Sequence, residues 1–133
     1  MSSYQVGTNS PIKLKVSVET EAIPMTYTFI ETTNQTGDGT PDIPPFNPSV
    51  QTGWKAINKG KPVKGKTEKV VTFLRFFNDF ANEETFNLAI KQIKDTYVAQ
   101  LNGGTPSPFE LTTKVESQFS SKTCLITSEV DLI

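Results

Sequence analysis

Regular alternation of apolar and polar side chains in residues 12–19, "IKLKVSVE", constrains the fold of this chain more than any other feature. The apolar residues occupy every second position: Ile12, Leu14, Val16 and Val18. A period of two predicts a β-strand with one face buried. The segment "MTYTFIETT", residues 25–33, repeats the alternation after Pro24, with Met25, Tyr27 and Phe29 as its apolar set. Because the connection between the two segments is short, we expect them to form an antiparallel pair.

The segment "TFLRFFNDF", residues 72–80, holds four of the nine phenylalanines. Their spacing would also suit a helix, but the β-branched residues just before them favour a strand. We predict a strand over residues 67–77 that is apolar on both faces except at Thr72 and Arg75, followed by a turn at 78–81. Such a strand belongs in the middle of a sheet, with a helix covering one face. Because it needs cover on both faces, part of it is a candidate contact patch for a partner.

Residues 82–103 predict the helix of the chain. Asn82 suits the N-cap position, and Glu83 and Glu84 interact favourably with the positive end of the helix dipole. The apolar residues recur at helical spacing: Phe86, Ala89, Ile90, Ile93, Tyr97 and Leu101. Gly103 suits the position that follows a helix, so we predict an amphipathic helix over about residues 83–102.

Two further alternating runs, which begin at Phe109 and Cys124, predict a closing hairpin joined near residues 117–122. Together these elements predict an α+β fold: a mostly antiparallel β-sandwich or barrel-like sheet of five to six strands, with the one helix packed on it. The length of 133 residues suits a single domain over residues 1–133.

Residues 34–53 contain four prolines and three glycines, too many for a regular element. We predict a long surface loop here. Loops of this length inside compact domains are usually functional or mobile, so this loop is a candidate binding region.

Within this loop, "NQTGDGTPD" places Asn34, Asp38 and Asp42 at loop positions 1, 5 and 9. Over these nine residues the chain resembles the calcium-binding loops of thrombospondin type 3 and dockerin-like repeats, and the resemblance implies these three residues as candidate calcium ligands. Position 12, where an EF-hand loop has a bidentate glutamate, is Pro45, and only two carboxylates remain to offset the charge of calcium. We therefore favour a structural turn and assign no metal.

Histidine is absent and Cys124 is the one cysteine, which excludes large classes of chemistry. Without imidazole there is no Ser–His or Cys–His nucleophile pair, no imidazole general base and no histidine metal ligand. One cysteine excludes an intramolecular disulfide. The acidic residues are scattered, which does not favour paired-carboxylate catalysis. We predict a protein that is not an enzyme and needs no cofactor, and the sequence contains no signal peptide or transmembrane segment.

Charge is divided into blocks along the chain. Residues 1–54 carry a net charge of −3, residues 55–78 of +6 and residues 79–133 of −4. The basic segment at 55–69 contains six lysines: Lys55, Lys59, Lys61, Lys64, Lys66 and Lys69. Three uses compete for it: a solvated loop, an anion-binding segment for nucleic acid, and a contact with an acidic part of another copy. The sequence pI of 5.4 and the near absence of arginine disfavour nucleic acid.

Two functions follow from these features. The favoured hypothesis is a non-catalytic structural subunit that self-assembles, as in a coat, a tail or a tube, with the basic segment and the 34–53 loop as contacts between copies. The alternative is a lectin-like module that binds carbohydrate, with or without calcium. Its ligand platform would consist of Asp38, Asp42, Phe46 and Trp54. Membrane insertion is not expected, because the phenylalanines are needed to build an interior.

Replacing Lys59, Lys61, Lys64 and Lys66 together with glutamate should leave the fold intact and abolish oligomers, because the basic block would no longer attract acidic ones. Light scattering gives particle size, and circular dichroism checks the fold. Wild-type particles should also dissociate at about 1 M salt, where the Debye length falls to about 3 Å. Unchanged particles in the fourfold variant would contradict the electrostatic part of the hypothesis.

Overall fold

The structure is a computed structural model that describes residues 2–7, 11–32, 43–57 and 63–133. Within these ranges the chain forms ten strands and one helix. In chain order they are β1 (Ser2–Val6), β2 (Lys13–Ser17), β3 (Ile23–Thr32), β4 (Lys55–Ala56), β5 (Lys66–Arg75), α1 (Glu83–Thr96), β6 (Val98–Asn102), β7 (Gly104–Thr105), β8 (Phe109–Glu110), β9 (Lys114–Gln118) and β10 (Thr123–Leu132). No helix in the described ranges is long and apolar enough to cross a membrane.

The strands form two sheets, which confirms the predicted α+β class with one helix. The large sheet has the order β3-β5-β10-β1-β7, and β9 also pairs with β10, beside β1. The small sheet has the order β4-β2-β6-β8. Every pairing is antiparallel except that of β1 with β10, which is parallel. The strands outnumber the five to six predicted for two reasons. Strands β1, β4, β6 and β7 were not predicted, and the run that begins at Phe109 divides into β8 and β9.

Strand β5 is an interior strand of the large sheet, as predicted, although the middle strand is β10 and β5 ends at Arg75 rather than at residue 77. It pairs with β3 from Ile23↔Arg75 to Thr32↔Lys66, and with β10 on its other side. Alternate side chains of β5 and β10 point inward. Among them, Val70 and Leu74 of β5 and Ile126 of β10 are buried. The inner face of the small sheet contributes further apolar side chains: Leu14, Val16, Ala99 and Leu101. The core therefore lies between the two sheets.

The predicted pairing of the first two alternating segments is wrong. Strand β2 pairs with β4 and β6 in the small sheet, whereas β3 pairs with β5 in the large sheet. The connection at residues 18–22 thus crosses from one sheet to the other. The physical reason is strand length, because β5 offers β3 a partner of ten residues and β2 offers only five.

The predicted start of the helix is confirmed, but its predicted end is wrong. The Asn82 side chain accepts a hydrogen bond from the Thr85 backbone N–H, and the Asn82 backbone N–H donates one to Thr85 Oγ1, which forms a capping box. The helix ends at Thr96, and residues 98–102 form β6 rather than a last helical turn. Tyr97 and Leu101 are buried in either conformation, because a spacing of four suits both a helix and a strand. Pairing with β2 decides between them.

The closing hairpin is confirmed for β9 and β10, which pair from Thr123↔Gln118 to Thr127↔Lys114. The run that begins at Phe109 is not one strand. Its first two residues form β8 in the small sheet, beside β6. There the Phe109 ring stacks on Tyr4 at a centroid distance of 5.2 Å, so this short strand helps to join the two sheets.

Polar side chains cross the core in a line between the sheets and the helix end. Thr26 Oγ1 and Thr72 Oγ1 are hydrogen-bonded at 2.8 Å, and Thr72 Oγ1 and the Tyr97 hydroxyl at 2.7 Å. Both threonines are fully buried and Tyr97 is 8% exposed. Buried hydroxyls must be hydrogen-bonded to avoid a desolvation penalty, so this line holds β3, β5 and the residue after α1 in one arrangement.

The free energy of unfolding should decline above pH 9, because the buried Cys124 thiol and Tyr97 phenol lose their protons less readily in the folded chain than in the unfolded one. Burial raises the pKa of Cys124 from 9.0 to about 11, and burial raises the pKa of Tyr97 from 10.0 to about 12 despite its bond to Thr72. A raised folded-state pKa gives stability that is present below the unfolded value and is lost as pH rises through the folded one. Chemical denaturation between pH 8 and 12 measures this decline.

The matched variants identify the groups responsible. Tyr97→Phe should remove the part of the decline between pH 10 and 12, which is on the order of 2 kcal/mol. Cys124→Ala should remove the part of the decline between pH 9 and 11. A Tyr97→Phe profile equal to wild type would show that this phenol does not titrate with folding.

Candidate functional site: the outer face of the large sheet

The candidate site is the side of the large sheet that points away from the small sheet, which we call the outer face. The strand registers place its side chains in five rows: Ile23–Arg75–Thr123–Gln118, Met25–Phe73–Leu125–Glu116, Tyr27–Val71–Thr127–Lys114, Phe29–Lys69–Glu129 and Glu31–Thr67–Asp131–Ser3. In each row the residues come from β3, β5, β10 and then β9 or β1.

The centre of the outer face is apolar. Ile23 is 53% exposed, Phe73 42% and Tyr27 36%. The remaining apolar members are half-buried by their neighbours in the sheet: Met25, Phe29, Val71 and Leu125. Beyond the first row, Phe77 is exposed and stacks under the Arg75 guanidinium at 5.2 Å. Seven apolar side chains therefore form one continuous surface across three strands.

This surface exists because β3 has its apolar and polar faces reversed relative to the usual arrangement. Its alternation predicts a buried set of Met25, Tyr27 and Phe29, but these side chains lie on the outer face. The threonines between them, Thr26 and Thr28, are fully buried. The prediction of which face of β3 enters the core is therefore wrong. The pairing of Thr26 with Thr72 sets this register, and a slip of one residue would exchange the two faces.

Charged side chains of both signs surround the apolar centre. Lys69 Nζ lies 3.7 Å from Glu129 Oε1, and Lys114 Nζ lies 3.0 Å from Glu116 Oε1. Arg75 is at one end of the strands, whereas Glu31 and Asp131 are at the other. These ion pairs are exposed, so each contributes only about 0.2–1 kcal/mol to stability. The balance of signs does not resemble the basic surface that polyanions require.

A shallow groove of about 200 Å³ lies on the outer face between β5, β10 and β9. Its lining is Phe73, Leu125, Thr123, Glu116 and Gln118. Two apolar side chains and a carboxylate on one small surface suit an apolar or basic side chain from a partner.

A second groove, of about 450 Å³, lies where β2, α1 and the 47–52 turn meet. Its lining is Ser17, Val18, Glu19, Ser49, Thr52 and Thr96. Its hydroxyls already serve the fold: Thr96 Oγ1 bonds the Glu19 backbone carbonyl at 3.1 Å, and Ser49 Oγ donates to Asn47 Oδ1 at 2.6 Å. This groove is therefore a junction between elements, with few groups left to bind a sugar.

The structure does not gather the lysines of the basic segment into one patch. Lys59 and Lys61 lie outside the described residues. Lys55 is in β4 of the small sheet, where its Nζ lies 4.8 Å from the Phe46 ring centroid. Lys64 is exposed in a turn, whereas Lys66 and Lys69 are in β5, and Lys69 is the one on the outer face. The described lysines thus divide between the two sheets.

The ligand platform is not assembled as proposed. Asn34, Asp38 and Asp42 lie outside the described residues. Phe46 is 3% exposed and forms a β-bridge with Thr26, so its ring belongs to the core. Trp54 is 38% exposed, and Lys15 Nζ lies 5.8 Å from its ring centroid. In the described ranges, no group of three or more histidine, cysteine, aspartate or glutamate residues could hold a metal ion.

Sequence reasoning missed most of the outer face. The signal was present in residues 66–75, whose two apolar faces need cover on both sides. It was also present in the equal spacing of apolar residues in β3. The sequence does not reveal the register between β3 and β5. That register places the apolar side chains of both strands on the outer face. Comparison of the chain with protein-family models, curated proteins and solved structures finds no match.

Neighbouring residues of β5 test the assignment of the two faces. Leu74→Ala should reduce the free energy of unfolding by about 2–5 kcal/mol, because Leu74 is fully buried. Phe73→Ala should cost about 1 kcal/mol or less, because its ring is on the outer face. Urea denaturation at low protein concentration measures both. A larger loss for Phe73→Ala than for Leu74→Ala would reverse the assignment.

Proposed function

We propose that the protein is a non-catalytic structural subunit that self-assembles, with the outer face of the large sheet as its main contact. The basic segment at 55–69 and the 34–53 loop would make further contacts between copies, as in a coat- or tube-like assembly. The observation that carries the proposal is the reversed strand β3, which turns Met25, Tyr27 and Phe29 outward and its threonines inward.

The argument from β3 is energetic. Exposed apolar area costs roughly 25 cal/mol per Å² relative to buried area. As a monomer, a chain gains no hydrophobic stabilisation by burying Thr26 and Thr28 in place of the aromatic side chains of the same strand. The arrangement becomes favourable when a partner covers the outer face. Contiguous apolar surfaces rimmed by polar side chains are typical of protein contacts.

The charge blocks would contribute differently from the apolar surface. Lysines that remain in solvent act over about one Debye length, roughly 8 Å at physiological salt, so they steer and orient copies more than they hold them. Contact through the outer face should persist at high salt, since salt does not weaken apolar burial. Persistence of the particles at about 1 M salt therefore replaces the dissociation that contact through the charge blocks alone would predict. Salt dependence therefore separates the two contributions.

A lectin-like module remains the second hypothesis, supported by the 38% exposure of the Trp54 ring. The buried position of Phe46 and the engaged hydroxyls of Ser49 and Thr96 weaken it. A carbohydrate ligand would raise the melting temperature without changing the mass of the particle.

Phe73→Glu should convert the assembled protein into monomers, because it places a charge at the centre of the proposed contact. Leu88→Glu is the matched control: Leu88 is 63% exposed on α1, away from the large sheet, and should assemble as wild type does. Light scattering coupled to size exclusion, over a range of protein concentration and salt, measures the mass.

Three outcomes would count against the proposal. Wild-type protein that stays monomeric at millimolar concentration would refute self-assembly. A Phe73→Glu variant as large as wild type would remove the outer face from the contact. Loss of assembly in Leu88→Glu would show a nonspecific effect of added charge rather than a defined surface.

A further inference from the structure

We infer that two copies of this chain stack outer face on outer face, with their strands antiparallel, about a two-fold axis that runs across the strands between the Phe73 and Val71 rows. The inference rests on the proposed self-assembly and specifies its partner, contact and orientation. Four observations carry it: the size of the face, the concentration of apolar side chains on β3 and β5, the row register and the groove beside Phe73.

The size of the outer face suits a dimer contact. Four strands spaced about 4.8 Å apart and the nine residues from Ile23 to Glu31, which span eight steps of about 3.4 Å, give a flat area on the order of 500 Å². The accessible area of a surface covered with side chains is larger than its flat area. A stable interface buries about 800 Å² per partner, so the face is of the required order.

The distribution of apolar side chains across the strands selects the direction of stacking. The apolar side chains of the outer face are concentrated on β3 and β5, whereas β9 contributes Lys114, Glu116 and Gln118. A two-fold axis along the strands, midway between β5 and β10, would place β3 over β9 of the second copy and so put apolar side chains on polar ones. An axis across the strands instead stacks β3 on β3 and β9 on β9, and it places Arg75 over the Lys69–Glu129 pair of the second copy. Apolar side chains gain most when they cover other apolar side chains, so the second arrangement is preferred.

The position of the axis follows from the apolar rows. The apolar side chains are centred between the Phe73 row and the Val71 row. An axis at that level places Phe73 over Val71 of the second copy and Met25 over Tyr27 of the second copy. The same rotation places Ile23 over Phe29. Stacked sheets typically cross at about 30°, which keeps the central pairs in contact and shifts the outer ones by a few ångströms.

Strand β9 gives the arrangement a specific polar contact. Glu116 is in the Phe73 row and Lys114 is in the Val71 row. The axis therefore brings Lys114 of one copy over Glu116 of the other, twice by symmetry. Glu116 lines the groove beside Phe73 and Leu125, and a long lysine side chain can enter that groove with its apolar stem against the ring.

Other occupants fit the face less well. The outer face carries four acidic side chains and three basic ones, so a polyanion such as nucleic acid would meet as much repulsion as attraction: Glu31, Glu116, Glu129 and Asp131 against Lys69, Arg75 and Lys114. On β9 the two signs are placed so that one copy of the face complements another, with Lys114 over Glu116. A second copy of the chain is therefore the occupant we propose.

Charge reversal on β9 tests this orientation. In Lys114→Glu, residue 114 faces Glu116 of the second copy at both symmetric contacts, and in Glu116→Lys two lysines meet in the same way. Each variant alone should raise the dimer dissociation constant about tenfold, as expected for two exposed pairs changed from attraction to repulsion. An equimolar mixture should recover the wild-type constant, because the heterodimer has only opposite charges in contact.

The matched control uses the exposed pair Lys91–Asp95 on α1, whose Nζ and Oδ2 lie 3.9 Å apart. Lys91→Glu and Asp95→Lys make the same charge changes away from the outer face, and should change neither the constant nor the effect of mixing. Sedimentation equilibrium of the full chain at low salt measures all variants. The double variant Lys114→Glu with Glu116→Lys should dimerise as wild type does.

The outcomes separate this inference from the proposed function. Stacking about an axis along the strands, midway between β5 and β10, would place Lys114 over Tyr27 of the second copy, so single variants would dimerise as wild type does, which would overturn the antiparallel orientation. Weakened single variants that do not recover on mixing would also overturn it. In either case, dissociation by Phe73→Glu would still support self-assembly through the outer face. Failure of Phe73→Glu to dissociate the wild-type assembly would overturn both.

Discussion

The hydrogen bond between Thr26 and Thr72 inside the core is the contact on which the rest of the structure depends. It pairs β3 with β5 in the register that buries threonines and turns Met25, Tyr27 and Phe29 outward. The Tyr97 hydroxyl extends the line to the end of α1, so one chain of polar contacts coordinates the large sheet with the helix. A shift of one residue would bury the aromatic side chains and leave two hydroxyls of this line without their partners.

The consequence of that register is a sheet with two different apolar faces. The inner face is closed by the small sheet and by Phe86, Ile90 and Ile93 of the helix. The outer face has no comparable cover among the described residues. The inner face buries its side chains in the core, whereas the outer face is the surface that we propose for contact with a second copy. Under that proposal, the core and the contact between copies lie on opposite sides of the same three strands.

Several elements could be predicted from the sequence because their determinants are local. The strand of residues 13–17 follows from its alternation, β5 from its β-branched run, and the helix start from the cap at Asn82. The candidate site was predictable only in part. The basic segment is visible in the composition, and the need for cover on both faces of β5 is visible in its pattern. The joining of β3, β5 and β10 into one outer face is not visible in the sequence, because it depends on the register between segments that are distant in the chain.

By itself, the sequence determined the class of the fold, the presence of β5 as an interior strand and the lack of any histidine in the chain for imidazole chemistry. These depend on periodicity and residue types within single segments. The tertiary structure alone decided where the helix ends, which sheet receives β2 and which side of β3 faces outward. At each of these points the side-chain spacing suits two conformations or two partners equally. Pairing with residues far away in the chain supplies the hydrogen bonds and buried area that choose between them.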